Sequence, residues 1–304
     1  MDVDTGVDDA LALLLALASP EVELVGVSTV TGNVPLPRTT DNTLRLLQWA
    51  GRADIPVYAG AERPLVREAV AAAAVHGATG LGAAQLPEAR TAPAGDGVEF
   101  LLRTLQTRPG DMLLVATGPL TNLARAEARV PGVLQRARQV VIMGGAVGVP
   151  GNIAPTAEFN FYADPHAAHQ VLASAAELVL VGLDATEQVG LASATLRACT
   201  GAYAAFCQAA CQPVIAFESA HYEFAGLHLH DPVALGAALW PQLFRTQRLW
   251  VDVETAGDLT AGQVVVDQRP LASDQDRLGR PVACAVDVDQ TRFLALFTER
   301  VLTP

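Results

Sequence analysis

The sequence predicts a single α/β domain over residues 1–304, a mostly parallel, doubly wound sheet flanked by helices. Three observations carry that expectation. Short β-branched runs alternate with Ala- and Leu-rich segments of helical period, the runs are nearly continuously apolar, and no repeat, low-complexity tract or Ser/Pro linker divides the chain. Continuous apolar strands are what a sheet covered by helices on both faces requires, and such sheets are mostly parallel.

The elements follow in order. The chain opens MDVDTGVDD, with Asp2 and Asp4 spaced to share one side of an extended segment, Gly6 permitting a sharp turn, and Asp8 and Asp9 opening a helix DDALALLLAL. VELVGVSTV (22–30) reads as a strand before the helix TTDNTLRLLQWAG. DMLLVATG (111–118) precedes the helix LTNLARAEARV, QVVIMGG (139–145) precedes ADPHAAHQVLASA, and ELVLVGLD (177–184) precedes a helical stretch beyond Gly190. The Pro/Gly-rich piece 83–97 reads as a surface loop and 145–160 as a functional one. Ligands of such sheets sit outside the carboxyl ends of the strands, so the residues just after each apolar run are the candidates.

Composition excludes several classes. Hydrophobic residues make up 51% and charged residues 17% of the chain, and no apolar run reaches the roughly 18 residues of a membrane span. A soluble protein with no membrane partner is expected. The net charge of −12, without a basic stripe, argues against nucleic acid. Cys199, Cys207, Cys211 and Cys284 lack the paired spacing of a zinc site and read as small buried apolar residues, Cys207 and Cys211 on one helix face. With no signal peptide ahead of the first carboxylates, the cytoplasm is the expected compartment.

Four carboxylates inside the first nine residues are the strongest chemical signal. A helix N-terminus favours one or two of them, by about 0.3–1 kcal/mol each, but not all four. Two unit charges about 4 Å apart repel by about 4 kcal/mol at an effective dielectric of 20, which a hard cation bound by several oxygens reverses. The alternatives are a metal site and a solvated acidic turn. An EF-hand counted from Asp2 fails at Val7 and Leu13, and a haloacid-dehalogenase-type signature fails at Gly6.

DVDTGVDDA matches the DxDxGxDD opening of the nucleoside hydrolases, and the resemblance runs the length of the chain. VTGN (30–33), VYAGAERPL (57–65), HGATGLG (76–82), ATGPLTN (116–122), MGGAVGVPGN (143–152), AEFNFYADPHAA (157–168), LHDPVAL (229–235) and VVVDQR (264–269) follow in family order. The resemblance implies a Ca²⁺-dependent enzyme that hydrolyses the N-glycosidic bond of ribonucleosides, and assembles as a homodimer or homotetramer. Carried over by position, Asp4, Asp9, Asp231 and the backbone carbonyl of Thr117 resemble the calcium ligands, with Asp2 behind them and Asp4 also the base that activates water. Asp8 and Asn160 resemble the grip on the 2′-hydroxyl, Asp9 and Asp231 that on the 3′-hydroxyl, and Asn152 with Glu158 that on the 5′-hydroxyl beside Met143. Asn33 is expected at the sugar edge. His76 and His230 match positions over the base, and Tyr222 falls where pyrimidine-preferring relatives keep a tyrosine. Uridine and cytidine are the expected substrates, with purine or broad specificity as the alternative, and a catalytically silent nucleoside- or ribose-binding protein as a different class.

Two departures stand out. Glu218 occupies a position where those relatives tend to have Gln, and Glu187 one where relatives often have a basic residue or His. In relatives an apolar strand also precedes the first Asp, where only Met1 stands here. The leading strand is therefore expected to be cut to its last residues, or the recorded start to lie downstream of the true one.

Overall fold

The computed structural model describes residues 1–221 and 224–303. Its strands are β1 (Asp2–Val3), β2 (Val27–Thr29), β3 (Val57–Ala59), β4 (Leu113–Ala116), β5 (Gln139–Met143), β6 (Leu178–Val181), β7 (Gly190–Ala192), β8 (Gly226–His228), β9 (Phe244–Val253), β10 (Val264–Val266) and β11 (Arg280–Val288). The helices are α1 (Val7–Ala18), α2 (Leu36–Trp49), α3 (Ala73–His76), α4 (Gly97–Thr107), α5 (Thr121–Arg129), α6 (Phe159–Ala163), α7 (Pro165–Ala173), α8 (Leu183–Thr186), α9 (Ser193–Ala198), α10 (Ala204–His221), α11 (His230–Leu239) and α12 (Gln290–Phe297).

Among the described residues the main sheet has nine strands in the order β10-β9-β11-β6-β5-β4-β1-β2-β3. Pairing is parallel from β3 through to β11 and antiparallel only where β9 joins β11 and β10 joins β9. One apolar core is built from α1, α10, α11 and α12 on one face, and a second from α4, α5 and α7 on the other. Burial on both faces explains why β5 and β6 read as unbroken apolar runs. No helix among the described residues is long and apolar enough to cross a membrane.

Three expectations change. The strand expected over 22–30 is confined to Val27–Thr29, because β1 offers partners only at Asp2 and Val3 and pairs them with Ser28 and Thr29. Gly6 bends the chain with an ordinary extended conformation (φ −94°, ψ −159°), so the bend does not need glycine's conformational freedom. It is glycine for space: a Cβ there would lie 2.6 Å from Asn33 Nδ2 and 2.7 Å from His76 Nδ1. The segment beyond Gly190 is not simply helical, since β7 pairs antiparallel with β8 in a separate small sheet before α9 and α10. All four cysteines are free, with Cys207, Cys211 and Cys284 buried and Cys199 partly so.

The chain order reverses beside β1, which has β2 on one side and β4 on the other. That switch point leaves a crevice at the carboxyl ends, and Asp4 and Thr117 are the residues that immediately follow β1 and β4. Helix α1 is held against the sheet by a face of leucines, and Leu14 is fully buried in that core. Leu14→Ala should cost about 2–5 kcal/mol, read as a lower urea midpoint with an unchanged m-value; a loss under about 0.5 kcal/mol would show that α1 is not anchored through this core.

Candidate active site

At the switch point lies a pocket of about 270 Å³, near the roughly 300 Å³ lower end of small-ligand sites. Its lining includes Asp8, Asn33, His76, Thr117, Met143, Asn152, Glu158, Asn160, His230 and Asp231, all expected from the sequence. Asp4 and Asp9 lie fully buried beneath it. Tyr222 falls outside the described residues.

Asp9 is held from three chain segments. It accepts from Gly6 N–H at 2.9 Å and Asp4 N–H at 3.3 Å, from Asn33 Nδ2 at 3.1 Å, and from Thr117 Oγ1 at 2.7 Å. Asp4 accepts from Asn33 N–H at 2.7 Å through Oδ2, while its Oδ1 is buried without a partner. Gly32 makes that possible, because a Cβ there would stand 2.0 Å from Asp4 Oδ2. Asp2 accepts from Ser28 Oγ and, at 2.8 Å, from Asn122 Nδ2, both through Oδ1. Its Oδ2, like Asp8 Oδ1, is buried and unpartnered.

The electrostatics are those of an uncompensated anion cluster. Burial, reinforced by neighbouring carboxylates, drives Asp4 and Asp231 well above the ordinary carboxylate range and raises Asp9 as well. Burial pushes Asp2 and Asp8 up to about 6 and Glu158 up to about 7. No arginine is among the described residues that line the pocket. Ligand oxygens of Asp8, Asp9 and Asp231 lie within 4.8 Å of one another. With three unpartnered buried carboxylate oxygens nearby and a donor set made only of oxygen, the residues fit a hard divalent cation. The close triplet contains Asp8 in place of Asp4, whose second oxygen is turned to the Asn33 amide.

At one end of the pocket, Asn160 Nδ2 donates to the Thr117 carbonyl at 2.7 Å and to the Met143 carbonyl at 3.3 Å. Glu158 caps α6, accepting from the N–H groups of Asn160, Phe161 and Gly145 at 2.9, 3.2 and 2.9 Å. Asn152 stands exposed on the loop and accepts from Phe159 N–H at 3.0 Å.

The other end carries imidazoles. His76 Nδ1 accepts from Val7 N–H at 3.2 Å, so the proton of its neutral form sits on Nε2. His230 Nδ1 meets Thr186 Oγ1 at 2.8 Å. Burial drives both histidines down to about 4, so at neutral pH each is a hydrogen-bonding group without charge. A third imidazole, His228, holds Nδ1 2.6 Å from Glu218 Oε2, and its backbone N–H donates to Glu218 Oε1 at 3.1 Å. Burial raises Glu218, but the bonds from His228 outweigh it and leave the carboxyl below its usual range.

This arrangement has counterparts. Residues 1–295 match the family described as inosine-uridine preferring nucleoside hydrolase. The chain belongs to the nucleoside hydrolase family. A pyrimidine-specific ribonucleoside hydrolase, RihA, of Salmonella schwarzengrund is 38% identical over 99% of this chain and 97% of its own length. Among solved structures, a plant nucleoside hydrolase superposes with a TM-score of 0.92 at 34% identity, covering 100% of this chain and 98% of its own. A purine-preferring ribonucleoside hydrolase from Gardnerella vaginalis gives 0.90 at 30% identity, covering 99% and 96%.

Nucleoside hydrolases cleave N-glycosyl bonds, and in this one His228 joins the pocket without a motif of its own in the sequence. The signal was the alternation in GLHLHD, which sets His228 and His230 on one side of an extended segment, their ring centroids 6.1 Å apart. The carboxylate cluster gives the hydrolase a pH signature. Asp2 and Asp8, raised from 3.8 to about 6, and Glu158, raised from 4.5 to about 7, keep protons in the folded state that the unfolded chain has released. These carboxylates, joined by the raised Asp4, Asp9 and Asp231, make the cation-free protein less stable as pH rises through about 4 to 7, and they outnumber the lowered His76 and His230, which act the other way between about 4 and 6.5. Chelator-treated protein should melt at a higher temperature at pH 5 than at pH 7.5; the opposite order would mean that the fold compensates these charges by itself.

Proposed function

We propose that this nucleoside hydrolase is a calcium-dependent ribonucleoside N-ribohydrolase, releasing ribose and free base with a preference for uridine and cytidine. The observation that carries the reading is the buried carboxylate cluster at the pocket floor, with Asp4 Oδ1 left without a partner. The carboxylates of Asp4, Asp9 and Asp231 and the carbonyl of Thr117 would hold the calcium, and the chemistry it would supply when bound is Lewis acidity toward water and sugar hydroxyls.

The chain's own residues do the rest. Asp4 Oδ1, the free acceptor, takes a proton from the attacking water as that water adds to the anomeric carbon and the bond to the base breaks. The transition state carries positive charge on the sugar ring, and the carboxylates beneath favour it more than the neutral substrate. Asp8 and Asn160 hold the 2′-hydroxyl, Asp9 and Asp231 the 3′-hydroxyl, and Asn152 with Glu158 the 5′-hydroxyl beside Met143, with Asn33 at the sugar edge. Deoxyribose leaves such buried groups unpaired, so ribose is selected. His76, with its Nε2 proton, and His230 hydrogen-bond the departing base. A cytoplasmic homodimer or homotetramer is the assembly in keeping with this reading.

The name of the Salmonella relative supports the pyrimidine preference, and that of the Gardnerella relative favours purines as the second reading. A panel of uridine, cytidine, inosine and adenosine, assayed for released reducing sugar, tests the reaction. Turnover should vanish with a chelator and return with calcium; no release from any of the four by calcium-loaded protein refutes the proposal. Asp4→Asn should lower kcat by about a hundredfold to ten-thousandfold while substrate still binds. Unchanged turnover would remove Asp4 from its role, and would favour a different base.

A further inference from the structure

Glu218 and Glu187 line the base end of the pocket and Asp184 stands behind Glu187, and two of these three carboxylates are fully engaged. Asp184 accepts from Val147 N–H and Gly148 N–H, each at 2.7 Å, and so anchors the loop over the site. Glu218 gives both oxygens to His228. The third, Glu187, follows α8 and lines the pocket together with Val214, Phe217 and Leu227. It is partly buried, and its carboxylate accepts no hydrogen bond from any described residue. The titratable groups that face it among the described residues are His228, Glu218 and Asp184, with no arginine among them.

A carboxylate can only accept. A half-buried acceptor that takes no hydrogen bond from its described neighbours is satisfied by a ligand edge that brings N–H donors, and it repels an edge that brings a carbonyl oxygen. We infer that Glu187 is a specificity-determining residue of the base subsite, selecting bases that carry an exocyclic amino group over their oxo counterparts. Cytosine is then preferred to uracil, and adenine to hypoxanthine. The two members of each pair share a ring skeleton: an amino group replaces an oxo group and the adjacent ring nitrogen loses its hydrogen, so ring size does not enter the comparison, and the contrast lies between an amino donor and a ring N–H flanked by a carbonyl oxygen.

This inference rests on the hydrolase reading above, and matched pairs keep the two separable. The measurement is kcat/KM for cytidine against uridine and for adenosine against inosine, in the calcium-loaded wild type and in Glu187→Gln and Glu187→Asp. Because the ratio is internal to each enzyme, a general loss of activity cancels. The wild type should favour the amino member of whichever pair it hydrolyses by about tenfold or more, the scale of one hydrogen bond to a charged group. Glu187→Gln, which offers a donor as well as an acceptor, should bring the ratio to within about threefold, and Glu187→Asp should retain its direction. A wild-type ratio near one overturns the inference even if no variant folds, and so does a ratio that Glu187→Gln leaves unchanged. Hydrolysis of neither these four nucleosides nor 4-nitrophenyl riboside overturns the hydrolase reading, and this inference with it.

Discussion

The mutual repulsion of carboxylates removed from water is the constraint on which the rest of this structure depends. Asp2, Asp4, Asp9, Asp231 and Glu158 are almost completely buried, and Asp8 stands beside them in the pocket wall. No arginine among the described pocket residues offsets them. The surrounding backbone supplies what compensation the chain itself has. Asp9 takes four donors, Glu158 takes three amide N–H groups, and α1 and α11 place Asp8, Asp9 and Asp231 in their first turns, where the helix ends carry partial positive charge. Donors of this kind offset only part of the charge, so the cluster is stable as a proton store or as a cation site. A cation site is what a water-activating enzyme uses.

The parallel sheet makes this convergence possible. The adjacent strands β11, β6, β5, β4, β1, β2 and β3 all run the same way, so the segments after β1, β4 and β5 all emerge at one edge. Small residues then let those segments approach. Gly32 lies against the Asp4 carboxylate, and Gly6 lies against Asn33 and His76. The cluster is thus over-determined by neighbours far apart in sequence, as in the bond from Thr117 to Asp9 and that from Asn122 to Asp2.

The two ends of the pocket are built differently. The end lined by Met143, Glu158 and Asn160 rests on the main sheet and on the cap of α6. The end that holds His228, Glu218 and Glu187 rests on β8, on α10 with its internal Pro213, and on the residues after α8, outside that sheet.

Much of the fold was legible because its physics is local. Strands buried on both faces must be apolar throughout, and β4, β5 and β6 fall inside the runs that showed it. The run 22–30 was equally apolar, yet only Val27–Thr29 forms a strand, since a strand needs a ladder partner and apolarity alone does not provide one. The antiparallel edge and the β7–β8 sheet were not legible either, because pairing direction and three-residue strands leave little mark on composition. At the site, the spacing in DVDTGVDD and the family motifs pointed to residues that the fold brings together at one pocket. They could not show that Gly6 is chosen for space, that Asp8 is drawn into the triplet with Asp9 and Asp231, or that Glu218 is engaged by His228 while the Glu187 carboxylate accepts no hydrogen bond from a described residue. By itself the sequence determined which chemical groups are gathered at the strand ends, since residue type and order are enough for that. Only the tertiary structure decided which of them are satisfied, because a hydrogen bond or a buried charge depends on distances between segments that the chain order does not contain.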